Sequence, residues 1–205
     1  MAPVKRKEDM RQQVTDIADI HLGYQFRKGL EPTDDGTHWV IQIRNFDENL
    51  ILKKESLFRV RLDKTIEQSL IKKGDVLFLS RGHKNWAAPI SDNLHDTVAV
   101  SHFFILKIRS NEVMPEYLAW YINQATAQEY LHSNARRGTH MPLIPMSAFK
   151  GLIVEVPAKE IQEKIVELSR LMEKEKRLLN ELQEKRALFI NAVCLNASKG
   201  KKEIM

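Results

Sequence analysis

Four short polar segments hold the side chains best suited to chemistry in this sequence. They are GYQFRK at 23–28, RN at 44–45, RGHKNW at 81–86 and RRGTH at 136–140. Each sets a cation beside an amide, an aromatic ring or a hydroxyl. Arg and Lys contact phosphate oxygens or guanine edges, while Asn and Gln can pair bidentately with adenine. The nucleic-acid contacts expected on this basis are Tyr24, Arg27, Lys28, Arg44, Arg81, His83, Lys84, Asn85, Arg136, Arg137 and Thr139. On composition alone these segments read first as solvated loops with ordinary polar residues.

Catalytic signatures are missing. No G-x-G, no G-x-x-x-x-G-K-[ST] and no H-E-x-x-H occurs, and the seven histidines are scattered singly. Dinucleotide binding, phosphate-loop ATP hydrolysis and a zinc site therefore lack support. No Glu is followed two positions later by Lys, and no two prolines are adjacent, which removes common nuclease and amino-methyltransferase signatures. Ser80, Ser101 and Cys194 have no motif context for a nucleophile. The sequence does not read as a catalyst.

Other conspicuous side chains have a structural reading. His102 opens an apolar run and is expected as a hydrogen-bonded core residue. Trp39, Trp86 and Trp120 are core candidates, with exposure left open for Trp86 in its polar loop. Tyr24 and Phe26 are expected partly in the core, and Cys194 as a small buried apolar group.

The elements that must position the polar segments follow from pattern. Strands are expected at 39–43, 57–62, 76–80, 97–100, 102–108 and 152–156, the second from its alternation of Phe58, Val60 and Leu62 with Arg59 and Arg61. A helix-like stretch at 16–22 leads into Gly23, an amphipathic helix covers 115–131, and loops cover 81–89 and 133–145. After Val156-Pro157 the pattern changes to one long helical period without Gly or Pro to about Leu195. The fold class is α+β: a mixed domain over 10–156, a long helix over 157–197 and a basic tail over 198–205.

With 205 residues, 43% of them hydrophobic, the chain can bury a real core. Its longest apolar runs stop after four residues, far short of the roughly 20 that span a membrane. No apolar stretch follows the charges of residues 1–7, and the one cysteine cannot form an internal disulfide, so a cytoplasmic protein is expected. The net charge is +5, from 32 basic and 27 acidic residues, which permits nucleic-acid binding without demanding it. Distribution says more. From 131 to 154 there is no acidic residue, while Arg136, Arg137 and Lys150 are present.

The order of the pieces carries a resemblance. IADIHLGYQFRKG, then KKGDVLFLSRG, then SHFFILKIRSNEVMPEYLAWYIN, then RRGTHMPLIPMSAFKGLIVEVPAKEIQEKIVEL together resemble one unit of a type I restriction–modification specificity subunit, over about residues 10–195. The resemblance implies a target recognition domain that reads double-stranded DNA, followed by a spacer helix. It implies no catalysis in this chain and no cofactor bound by it. S-adenosylmethionine, ATP and Mg would sit on partner methyltransferase (M) and endonuclease/translocase (R) subunits. The usual subunit carries two recognition domains and two spacers, and this sequence carries one of each. It therefore resembles a half-subunit that pairs with itself or with another half, or else a truncated or silent cassette. A coiled-coil assembly or regulatory module binding protein alone is the other reading.

The helix carries its own signal. At 1.5 Å per residue it would run roughly 55 Å, longer than a domain of this size can cover. Ile161, Ile165, Leu168, Met172, Glu175, Leu179, Leu182, Arg186, Phe189 and Val193 alternate spacings of four and three, a heptad seam expected at a dimer interface. In a parallel pair Glu175 and Arg186 would each face their own copy. In an antiparallel pair Glu175 faces Arg186, and Leu179, Met172 and Leu168 face Leu182, Phe189 and Val193. Like-charge layers select against the parallel form.

Overall fold

A computed structural model of the chain describes residues 10–26, 29–62, 67–136 and 142–199. The chain divides between Lys164 and Ile165 into two compact units.

The first unit begins with β1 (Arg11–Gln13), a single-turn helix α1 (Val14–Ile17) and β2 (Ala18–Leu22). β3 (His38–Ile41) and β4 (Phe58–Val60) follow, separated by 3₁₀ turns at Ile43–Asn45 and Lys54–Ser56. After a third such turn at Glu67–Ser69 come β5 (Val76–Leu79), β6 (Ala87–Pro89), β7 (Thr97–Ala99) and β8 (Phe103–Ile108). Helices α2 (Pro115–Ile122), α3 (Ala125–Ser133) and α4 (Met146–Lys150) precede β9 (Ile153–Glu155). The α+β class expected from the sequence is the one observed.

Three sheets organise these strands, in the orders β2-β8-β5-β6, β4-β3-β7 and β1-β9. β5 and β8 lie inside the first and are buried on both faces, which is why their sequences VLFL and FFIL never alternate with polar residues. Leu77, Leu79, Phe103 and Ile105 face a core shared with Val40, Ile41, Val60 and Val98. On the other side Phe78 stacks on Phe149 of α4 at 4.4 Å, and Phe104 meets the same ring edge-on at 5.5 Å.

Several expected elements are different in the structure. The stretch read as helix-like at 16–22 is mostly β2, which pairs residue for residue with β8 from Ala18↔Ile108 to Leu22↔Phe104. Sheet pairing overrides the helical spacing there. Gly23 follows it, and only glycine fits there, because a Cβ at that position would lie 2.2 Å from the Val100 carbonyl oxygen. The single helix expected over 115–131 is two. It breaks at Asn123, whose side chain accepts from Ala87 N–H (2.7 Å) and donates to Ala87 C=O (2.8 Å). That pair of bonds also covers the free edge of β6, a strand lying inside the expected 81–89 loop. Pro89 is tolerated there because an edge strand need not donate. The expected strands at 57–62 and 152–156 are shorter at both ends, and the one expected at 39–43 starts one residue earlier and stops at Ile41.

Trp39 is not a core residue. It is 36% exposed, with the Arg59 guanidinium 5.1 Å from its ring centroid. Trp86 is half-buried against Phe46 and Phe103, and Trp120 is half-buried beside Tyr117.

The long helix is present as α5 (Lys159–Ser198). Its first turns belong to the first unit, where the carboxamide of fully buried Gln162 accepts from Met114 N–H and donates to Glu112 and Pro157 carbonyls. From Ile165 the helix forms the second unit. Val166 is buried and Ile165 and Val193 are half-buried, but the other large apolar side chains of the expected seam are open: Leu168, Met172, Leu179, Leu182 and Phe189 are all more than half exposed. Cys194, expected buried, is also exposed. Of the tail at 198–205, only Ser198 and Lys199 are described. No helix among the described residues is long and apolar enough to cross a membrane.

Candidate nucleic-acid interface

The polar segments lie far apart in sequence, and backbone pairing gathers them around the turn Ser101-His102. Tyr24 enters first. Its N–H donates to Ala99 C=O at 2.7 Å, in a parallel bridge with Val100. Its half-buried ring packs 4.8 Å from Phe26.

Arg44 comes from the 3₁₀ turn after β3. That turn is held by fully buried Asn45, whose Oδ1 accepts from Gln42 N–H (2.7 Å) while Nδ2 donates to Ser56 C=O (2.8 Å). The exposed Arg44 guanidinium stands 5.5 Å from the Phe58 ring centroid. Tyr24, Phe26, Gln42, Arg44, Phe58 and His102 line one cleft of about 770 Å³.

Arg81 follows β5 by two residues. Ser80 before it donates from both N–H and hydroxyl to His102 C=O, and Ile144 N–H donates to Ser80 C=O. Arg81 and Arg136 each bridge to Leu143, with Arg136 N–H donating to Leu143 C=O at 3.0 Å. One backbone position thus lies between two exposed guanidinium side chains. His83 and Lys84 are exposed on the loop after Arg81. Asn85 is half-buried and donates to Leu79 C=O at 2.8 Å, so its amide N–H holds the loop. Arg27, Lys28, Arg137 and Thr139 lie outside the described residues.

His102 is half-buried and lines the cleft, where a core position was expected. Burial, and then the nearby Arg81 charge, hold its imidazole below the usual histidine range. At neutral pH the ring is therefore uncharged, and the fixed charges here are guanidinium and ammonium groups. Among the described residues, Arg44, Arg81, Lys84 and Arg136 form no ion pair with a carboxylate. Cations left without internal counterions suit an external polyanion. The described residues contain no group of three or more His, Cys, Asp or Glu able to hold a metal.

Sequence reasoning missed Gln42, Phe58 and Ser101 and misplaced His102. The available signal was the polar pair Ser101-His102 between two apolar runs. Gln42 offers no comparable signal, because its role depends on a turn fixed by Asn45.

The profile of the type I restriction modification DNA specificity domain matches residues 8–184. The chain belongs to that family. A curated family relative, the type I restriction enzyme HindI specificity subunit of Haemophilus influenzae, is 32% identical over 101 residues, which is 48% of this chain and 22% of the relative. Among solved structures, the HsdS subunit from Thermoanaerobacter tengcongensis matches with a TM-score of 0.65 at 14% identity, over 89% of this chain and 46% of that one. The S subunit of the type I restriction-modification system from M. genitalium matches with a TM-score of 0.53 at 16% identity, over 91% and 44%. At these identities the structural matches show a shared fold for the specificity-domain chain. The chain spans less than half the length of these solved subunits.

Proposed function

We propose that this specificity-domain chain reads DNA sequence within a type I restriction–modification complex. The observation that carries the reading is the convergence of Tyr24, Arg44, Arg81 and Arg136 around Ser101-His102, with no carboxylate partners for those cations among the described residues. Phosphate contacts from the arginines would set position on the duplex, while amide and aromatic groups between them would read base edges. In this reading the chain does no catalysis. Methyl transfer from S-adenosylmethionine belongs to M subunits, and ATP- and Mg-dependent translocation and cleavage belong to an R subunit.

The second unit supports pairing. Its exposed heptad seam needs an apolar partner, and a second copy, or another half-subunit, supplies the same seam in reverse. Two copies related by a twofold axis would read inverted half-sites with a non-specific gap between them.

Methylome sequencing of the source strain, with and without this gene, tests the reading and yields the target. A methylated inverted repeat that disappears with the gene is expected. The purified chain with its M subunits should then bind that duplex with affinity falling by orders of magnitude between 50 and 200 mM salt, as about six or more phosphate contacts require. Unchanged methylation, or salt-independent binding, would instead favour a coiled-coil module that binds protein.

A further inference from the structure

The turn Ser101-His102 presents two unused hydrogen-bonding groups. Both residues line the cleft and both are half-buried. Neither the Ser101 hydroxyl nor the His102 ring has a hydrogen-bond partner among the described residues, and neither polar group is enclosed. The backbone around them is nevertheless fixed. His102 C=O accepts two bonds from Ser80, Val100 N–H donates to Ile41 C=O at 3.0 Å, and Phe103 N–H donates to Val100 C=O at 3.0 Å. Two polar side chains on a rigid turn, unused by the chain's own described groups, suit a partner from outside it.

Their surroundings select the polarity of that partner. A neutral imidazole carries one N–H, and either nitrogen can hold the proton, so the nitrogen facing an acceptor becomes the donor. The Ser101 hydroxyl rotates and can donate alongside it. Arg44 lines the same cleft, Arg81 stands near the ring, and no carboxylate is among the described lining residues. The local potential is therefore positive and favours an edge made of acceptors. Guanine alone sets two acceptors side by side in the major groove, N7 and O6, while adenine and thymine offer one each and cytosine a donor.

We infer that Ser101 and His102 together read one guanine from the major groove, the imidazole N–H donating to N7 and the hydroxyl to O6. The inference rests on the DNA-recognition reading and adds to it a base and the residues that choose it. Arg44 and Arg81 would hold neighbouring phosphates while the turn makes the choice.

Replacing each guanine of the target in turn by 7-deazaguanine tests the inference. The analogue carries C–H in place of N7 and keeps O6 and base pairing. In anisotropy titrations of the full-length chain with its M subunits, one position should lose about tenfold in affinity, the worth of one hydrogen bond. With His102→Ala, the natural and the 7-deaza duplex at that position should bind alike. Ser101→Ala should weaken both duplexes and keep the tenfold ratio between them. Neither substitution removes the backbone bonds of the turn, and the wild-type scan needs no variant to fold. Full affinity with 7-deazaguanine at every position overturns the inference, as does a target without guanine or a sensitivity that His102→Ala leaves unchanged. With salt-dependent binding intact, each of those results leaves the recognition reading standing. A chain that binds no DNA defeats both.

Discussion

Ser80 donates twice to one acceptor: its N–H and its hydroxyl each reach the His102 carbonyl oxygen at 2.9 Å. The two hydrogen bonds pin the end of β5 to the turn before β8. Arg81 and the His102 imidazole are thereby held near each other, and the Arg81 charge helps keep that ring neutral.

A pH dependence follows. His102 titrates lower when folded than the unfolded value near 6.5, so below that pH the unfolded chain binds more protons. Its contribution is fully present above about 6.5 and is lost as pH falls from there through the folded value. Urea titrations from pH 7.5 to 5.5 should show stability declining more for the wild-type chain than for His102→Asn. DNA affinity at fixed salt should move the other way, because protonation adds a cation to the interface. Parallel stability curves for the two proteins would rule out His102 as the source.

Arg44, Arg81 and Arg136 should act on DNA through charge and leave the fold intact, since all three are exposed. Replacing all three with Ala should flatten the plot of log affinity against log salt by roughly 2.7, at 0.9 per phosphate contact. Fluorescence anisotropy on the methylated target, with M subunits present, measures the slope. A slope unchanged within error would remove these side chains from the interface.

Gln162 is fully buried, and its carboxamide satisfies three backbone groups, at Met114, Glu112 and Pro157. Gln162→Leu keeps much of the volume and leaves all three without that partner. We expect a loss of about 3 kcal/mol, seen as a melting temperature lower by roughly 6–12 °C. Calorimetry of the two full-length chains decides it, and a shift under about 2 °C would contradict the assignment.

Helix orientation is open to direct test through the exposed thiol of Cys194. With Cys194→Ser as background, Glu175→Cys should resist disulfide formation between copies, because the antiparallel register sets Glu175 against Arg186. Adding Arg186→Cys should produce the cross-link readily. A fast 175–175 disulfide in the single variant would establish the parallel pair.

Runs without polar interruption were the most legible part of the sequence. Val76–Leu79 and the start of Phe103–Ile108 read as strands because both of their faces are covered, and α5 was legible from its unbroken period. Elements defined by remote partners were not. β2 owes its form to β8, and the α2–α3 break to Ala87, 36 residues away from Asn123. The site divides the same way. Residue type alone marked Arg44, Arg81 and Arg136 as exposed cations, but their convergence depends on Leu143 and on the Val100–His102 backbone. Trp39 was misread because aromatic size suggests burial, whereas its neighbour Arg59 covers one ring face in the open.

Finally, β1 and β9 pair antiparallel, with Arg11 opposite Glu155 and Gln13 opposite Ile153. The polypeptide therefore enters the sheet-containing part of the first unit and leaves it at adjacent points, like a loop drawn through a clasp. A segment with neighbouring ends can be exchanged for another of like span without disturbing what lies on either side. Everything that contacts DNA in our reading lies between those two strands, and the helix seam lies after them. In that reading target choice and assembly are separable by a single crossover at each end of the clasp, so that a new specificity would come from substitution of one contiguous stretch while the helix is inherited unchanged.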